Sequence, residues 1–148
     1  MSDPVASPLT LVMTIKSEKD YQDLKNLLEG LQKLPPRQNP IRVALTKLGV
    51  VHFARFVFLS NSQLAIITTY DGSFEDYIDA FINEIGGVFD QLFAHIKDAP
   101  PLPTSDHRKE FLDYVKGHDL RCIEPFYSAY PDLKVLDILT LQRNQTSS

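Results

Sequence analysis

The sequence predicts an α+β domain in which helices cover one face of an antiparallel sheet. Three observations predict it. Short apolar, β-rich runs alternate with segments whose apolar residues recur at helical spacing. Two of the runs, 51–59 and 63–70, are parted only by "SNS", which reads as a β-hairpin. A serine stands just before each of the two main helical segments with an aspartate three residues on, the arrangement that opens a helix.

Residues 9–16, "LTLVMTIK", form the first strand. Ser17 caps the next helix with Asp20 as its acidic partner, and Tyr21, Leu24, Leu27, Leu28, Leu31 and Leu34 make its apolar stripe. Pro35 and Pro36 end it, because proline has no N–H to continue the ladder. Residues 37–49, "RQNPIRVALTKLG", read as a connection. The hairpin follows, and Asp71-Gly72 closes it. Ser73 caps a second helix, with Asp76 as partner and an apolar face running from Phe74 to Ile96. Gly86-Gly87 lies inside it; each glycine costs about 1 kcal/mol relative to alanine, so a kink or a close approach is expected there. Residues 98–106 are a proline-rich loop. Ser105 or Asp106 opens a short inserted helix carrying Phe111, Leu112, Tyr114 and Val115. "CIEPFYSAY", 122–130, reads as a fourth strand, and Pro125 places it at a sheet edge. A last helix begins near Pro131. The order βαββαβ, with one inserted helix and a helical tail, is the ferredoxin-like, split βαβ pattern. Residues 1–148 make one such domain, with 1–8 and 142–148 expected to be flexible.

Composition narrows the function classes. Hydrophobic residues are 43% of the 148, enough for a real core. Fifteen basic against nineteen acidic residues leave a net charge of -4, with no basic stripe, which argues against nucleic acid as a partner. The start "MSDPVASP" lacks the pattern of a signal peptide, and no apolar run approaches the ~18 residues of a membrane span. A single cysteine, Cys122, fits a reducing compartment, so a cytoplasmic location is expected. With no base near it in sequence, Cys122 is better read as an inert thiol than as a nucleophile.

The hairpin contains the residues with chemistry. With a two-residue turn at Asn61-Ser62, Arg55 falls opposite Thr68, Phe53 opposite Tyr70 and His52 opposite Asp71. Alternation then puts Phe53, Arg55, Val57 and Leu59 on one face with Leu64, Ile66, Thr68 and Tyr70, and His52 on the other. Both faces are apolar, whereas a two-layer domain covers only one. A second copy of the sheet, giving a homodimer of the dimeric α+β barrel type, accounts for this better than an extra helix folded over it.

Arg55, Thr68 and Tyr70 are therefore the expected ligand-binding residues. A guanidinium on an apolar face needs an anion, which a ligand carboxylate or phosphate could supply, as could a structural acidic partner. His52, oriented by Asp71, is the one catalytic candidate, set against the commoner case of a packed, bonded histidine. His95, His107 and His118 are far apart in sequence and read as surface residues, so no metal site is expected. Tyr127, Ser128 and Tyr130 suit either a pocket wall or, preferably, a sheet edge packed by a helix. No Walker loop, dinucleotide fingerprint, H-E-x-x-H or nucleophile elbow is present.

The segments "HFARF", "TTYDGSFEDYIDAFI" and "FYSAYPDL" resemble a family of uncharacterised bacterial proteins with a ferredoxin-like, dimeric α+β barrel fold, related segments of which occur near haem-peroxidase or catalase-like domains. The resemblance covers about residues 50–140 and implies the fold and a link to peroxide or lipid chemistry. Dye-decolourising peroxidases share the barrel class but carry a glycine-x-x-aspartate-glycine motif; "YDG" at 70–72 lacks its leading glycine, so no catalytic residue is carried over. The expected function is a homodimer binding a small apolar or acidic ligand between sheet and helices. The alternatives are a haem-linked or cofactor-independent oxidoreductase using His52, and an interaction module for a larger redox enzyme. No cofactor is evident from the residues themselves; haem enters only through the resemblance.

Overall fold

The computed structural model describes residues 3–146. Among them are a three-stranded antiparallel sheet and five α-helices: β1 (Ala6–Thr14), α1 (Glu18–Gln32), α2 (Pro40–Leu48), β2 (Val51–Ser60), β3 (Gln63–Asp71), α3 (Phe74–Phe93), α4 (Arg108–His118) and α5 (Val135–Thr146). β3 lies in the middle, paired antiparallel with β1 on one side and β2 on the other. β1 and β2 are therefore the two edges and run parallel to each other.

Alternation builds the core. Leu9, Leu11 and Met13 of β1 and Leu64, Ile66, Thr68 and Tyr70 of β3 are buried on one face. Helices lie over that face: Leu24 and Leu28 of α1, Ile41 and Ala44 of α2, Ile78, Ile82 and Phe89 of α3, and Phe111 and Val115 of α4 belong to one cluster with the apolar residues and Tyr70 among those strand residues. A chain of edge-to-face rings, Phe81–Phe89–Phe93–Phe111, runs through it. Such ring pairs add about 0.5–1.5 kcal/mol each beyond their burial.

The serine caps form as expected. Ser17 Oγ accepts from the Asp20 N–H at 3.1 Å and donates to the Asp20 carboxylate at 2.6 Å. Ser73 Oγ accepts from the Asp76 N–H. β1 begins at Ala6, earlier than expected, and Pro8 is tolerated there because β1 is an edge strand. α5 extends to Thr146, through residues expected to be flexible, and starts at Val135 rather than near Pro131; the flexibility expected of 1–2 and 147–148 lies outside the described residues.

One expectation is corrected, and three open points are decided. Residues 37–49 are largely the helix α2, whose start Asn39 caps by accepting from the N–H groups of Ile41 and Arg42, and whose end is Gly49 at φ 65. Only glycine adopts that left-handed conformation without cost. α3 passes through Gly86-Gly87 without a break, and the close approach is the alternative that is met: a Cβ on Gly86 would lie 3.2 Å from Thr104 Oγ1. The inserted helix does not shield the second sheet face, because α4 packs on the core side. Finally, 122–130 is not a strand. Residues 119–131 form a strap beside β1, tied at its ends by Leu120 N–H to Thr10 O, the Thr10 N–H to Asp119 Oδ1, and Val5 N–H to Pro131 O. Between those ties twelve strap residues accompany about half as many of β1, so no ladder can stay in register.

Candidate functional site

The hairpin register decides which side chains can meet. Ser60 pairs with Gln63 across the turn, but the pairing then slips by one residue at Leu59, so that Phe58 meets Leu64, Phe56 meets Ile66 and Ala54 meets Thr68. A β-bulge of this kind puts two residues against one and turns the strand over relative to its partner. Arg55 consequently lies opposite Ile67, not Thr68. The expected group of Arg55, Thr68 and Tyr70 is thus split between faces. Thr68 and Tyr70 are buried in the core, where Tyr70 stacks on Tyr77 with ring centroids 4.5 Å apart. Burial raises the pKa of Tyr70, and pushes that of Tyr77 up to about 12. Arg55 is exposed on the outer face beside Phe53, which is 78% exposed, and Leu59, at 53%.

A second slip, between Val51 and Phe53, leaves His52 as an extra residue at the start of β2. Its ring reaches Asp71 at the end of β3, with Nε2 2.7 Å from Oδ1, as the sequence led us to expect. Both side chains are largely buried. Asp71 Oδ2 accepts the N–H of Val135, the first residue of α5, at 2.8 Å. One carboxylate therefore ties β2, β3 and α5 together, with both oxygens engaged.

His52 lines a cleft of about 960 Å³ beside the β2 edge. The start of α2, with Asn39, Ile41, Arg42 and Leu45, makes one wall. The strap makes another with Phe126, Tyr127, Ser128 and Tyr130, and α5 contributes Val135, Ile138 and Leu139. Phe53 and Phe56 of β2 form the floor. The strap tyrosines are thus pocket walls and not a helix-packed sheet edge; Tyr127 is 88% exposed. The volume is in the range of small-molecule sites, about 300–1,000 Å³, and a mainly apolar lining interrupted by polar side chains is their usual character.

Arg42, missed in the sequence, is the cation of this cleft. Its signal was legible: an arginine in the first turn of a helix opened by Asn39-Pro40, a turn with no acidic residue. The other histidines are elsewhere. His95 Nδ1 lies 2.9 Å from Asp20 Oδ1, joining the end of α3 to the start of α1, and His118 stacks on Tyr114 and bonds its carbonyl oxygen. Both are half-buried rather than surface residues. Cys122 is half-buried in the strap. Among the described residues no three His, Cys, Asp or Glu side chains are grouped to hold a metal ion, and no helix is long and apolar enough to cross a membrane. The chain matches no protein-family model, no curated protein and no solved structure.

Proposed function

We propose that this chain is a cytoplasmic, ferredoxin-like binding protein that holds a small molecule in the cleft beside β2, and that it works as a homodimer of the α+β barrel type. The cleft itself carries the binding reading: it has the size and the aromatic walls of a ligand site, between β2, α2, the strap and α5. The strand order β1-β3-β2, with the strap where a fourth strand would flank β1, supports the ferredoxin-like placement. The exposed outer face of β2 supports self-association, since Phe53 and Leu59 are large apolar residues left mostly exposed on it.

Titrating the full chain with octan-1-ol and following backbone amides by NMR tests the binding reading. The amides of Gly49, His52 and Ser128 are expected to shift together. Shifts confined to the α1–α3 side, or none at millimolar octanol, would refute it. Sedimentation equilibrium tests the dimer: Phe53→Asp is expected to give monomers at concentrations where the unaltered chain pairs.

A second reading, an oxidoreductase that is haem-linked or free of cofactor, is favoured by the 2.7 Å pairing of His52 with Asp71. A carboxylate so placed fixes the ring tautomer and its orientation. Nε2 is the nitrogen engaged, which leaves Nδ1 for any substrate or iron. A Soret band appearing on haem titration of the unaltered chain, and lost in His52→Ala, would move the assignment to this reading.

A further inference from the structure

We infer that the ligand of this cleft is an organic anion with an apolar body, a medium-chain or aromatic monocarboxylate, and that Arg42 binds its head group. The inference rests on the proposed binding function and specifies its ligand.

The charge of the lining is the first observation. The chain carries nineteen acidic residues and a net charge of -4. None of the residues lining the cleft is an aspartate or a glutamate, while Arg42 is among them. The one carboxylate close behind the wall, Asp71, has its oxygens occupied by His52 and the Val135 N–H. An acidic protein with a cleft that excludes acid and presents an arginine favours negative ligands there.

The second observation is where Arg42 stands. Asn39 caps α2 and Pro40 is its first residue, so Arg42 is in the first turn. The helix dipole makes that end positive, and a cation there is unfavourable for the helix while an acid would help it. No acidic residue is present in that turn to compensate. Lys47, at the other end of α2, follows the stabilising rule and pairs with Glu84 at 3.2 Å. Arg42 makes no ion pair among the described residues. A residue placed against local stability is expected where function requires it. Here the guanidinium and the helix end add their positive potentials at one wall, and a carboxylate can take two parallel N–H bonds from the guanidinium.

The remaining lining defines the body of the ligand. Phe53, Phe56, Phe126 and Leu139 offer apolar surface to the ligand body, and Arg42 is the one lysine or arginine of the lining. A second anionic group, as in a dicarboxylate, would meet no second lysine or arginine there.

Octanoate and octan-1-ol share a body and differ in the head, and calorimetric titration of the full chain with each tests the inference. Octanoate is expected to bind at least tenfold more tightly than octanol. Arg42→Gln is expected to abolish that preference by weakening octanoate binding at least tenfold, and Arg55→Gln, on the outer face, to alter neither affinity. Octanol binding as tightly as octanoate would overturn the head-group assignment and leave the cleft as a binding site. A preference for octanoate that survives Arg42→Gln would overturn the role of Arg42. Failure of both probes to bind would overturn the inference together with the binding reading beneath it. Arg42 is exposed and its side chain bonds no backbone group, so the variant folds; an unchanged circular dichroism spectrum confirms it.

Discussion

The two faces of β2 carry similar side chains and have opposite fates. Ala54, Phe56 and Phe58 turn toward the helices, and Phe58 packs its ring edge-on to Tyr21 of α1 at 4.9 Å. Phe53, Arg55 and Leu59 turn away and stay exposed, and Phe53 also faces the cleft walled by the strap and α5. Hydrophobicity alone would not separate the two sets. What separates them is the slip at Leu59, which sends each residue to the face its neighbour would have occupied. The core face holds the fold together, and the outer face stays exposed. The cleft lies at the edge where the two meet.

Truncations on the two sides give the largest expected contrast. Phe93 is 1% exposed and touches the rings of Phe89, Phe111 and Tyr114. Phe93→Ala is expected to lower unfolding free energy in urea by about 3–5 kcal/mol, from lost burial and the cavity left behind. Phe53→Ala, measured at concentrations low enough to keep the chain monomeric, is expected to stay within about 0.5 kcal/mol of the unaltered chain. A large loss for Phe53→Ala in the monomer would mean that the outer face is covered after all.

The junction between the faces comes next. Asp71→Ala removes the acceptor for both His52 and the Val135 N–H. Leaving these unpaired is expected to cost about 1–3 kcal/mol. Hydrogen exchange at the first turn of α5 should quicken in the same variant, because that bond fixes the helix start and α5 makes sparse contact with the other elements. Arg55→Ala is expected to change neither measurement. Equal exchange in both variants would show that α5 is held by something other than Asp71.

The parts of the molecule legible in its sequence are those fixed by local chemistry. Ser17 and Ser73 announce their helices, because a hydroxyl before an apolar stripe has one common use. The His52–Asp71 pair was legible as well, since two strand ends joined by a short hairpin must return to the same place. The bulge at Leu59 was not. It adds one residue to one strand, and nothing in "FLSNSQL" marks it. That single slip moved Arg55 away from Thr68 and Tyr70 and misplaced the expected site. α2 was obscured by its neighbours: after Pro35 and Pro36 the segment read only as a connection, although Asn39 and Gly49 are an ordinary start and stop. The strap was misread because "CIEPFYSAY" has strand composition. Strand propensity largely measures fit to a half-buried surface, and here no neighbour supplies one, so that Ile123 is 94% exposed.

The rim of the core face offers a smaller, pH-linked effect. The Ser17 hydroxyl, and after it His95, hold the Asp20 carboxyl below the usual aspartate range. A carboxyl lowered in the folded state contributes stability above its unfolded value and loses it as pH falls through the folded one. Ser17→Ala is expected to raise the Asp20 pKa in an NMR titration and, through loss of the cap on the Asp20 N–H, to cost about 1 kcal/mol near neutral pH. His95→Gln should raise that pKa as well, since His95 bonds the same carboxylate. Asp119 behaves oppositely: burial raises its pKa, and the Thr10 N–H only partly offsets this. Its contribution therefore becomes less favourable as pH rises above the ordinary aspartate value, which an Asp119→Asn variant would remove.

The smallest effect repeats the contrast between covered and open faces within one helix. Gly86 and Gly87 are adjacent in α3, and both forgo the helix propensity of alanine. Gly86 is buried, and the turn carrying Thr104 lies against it. The Thr104 N–H bonds Asp90 Oδ1 at 2.8 Å, so that turn is held one helical turn further along α3 and cannot withdraw freely. Gly87 has open space where a Cβ would go. Gly87→Ala is expected to stabilise the protein by up to about 1 kcal/mol. At Gly86 the same gain is set against displacement of a fully buried threonine, and a Cβ contact at 3.2 Å requires that displacement. Gly86→Ala is therefore expected to be neutral or destabilising, and the difference between the two variants in thermal unfolding measures how rigidly the loop is held. If both alanines stabilised equally, the loop would be free to move away, and Gly86 would be no more constrained than its exposed neighbour.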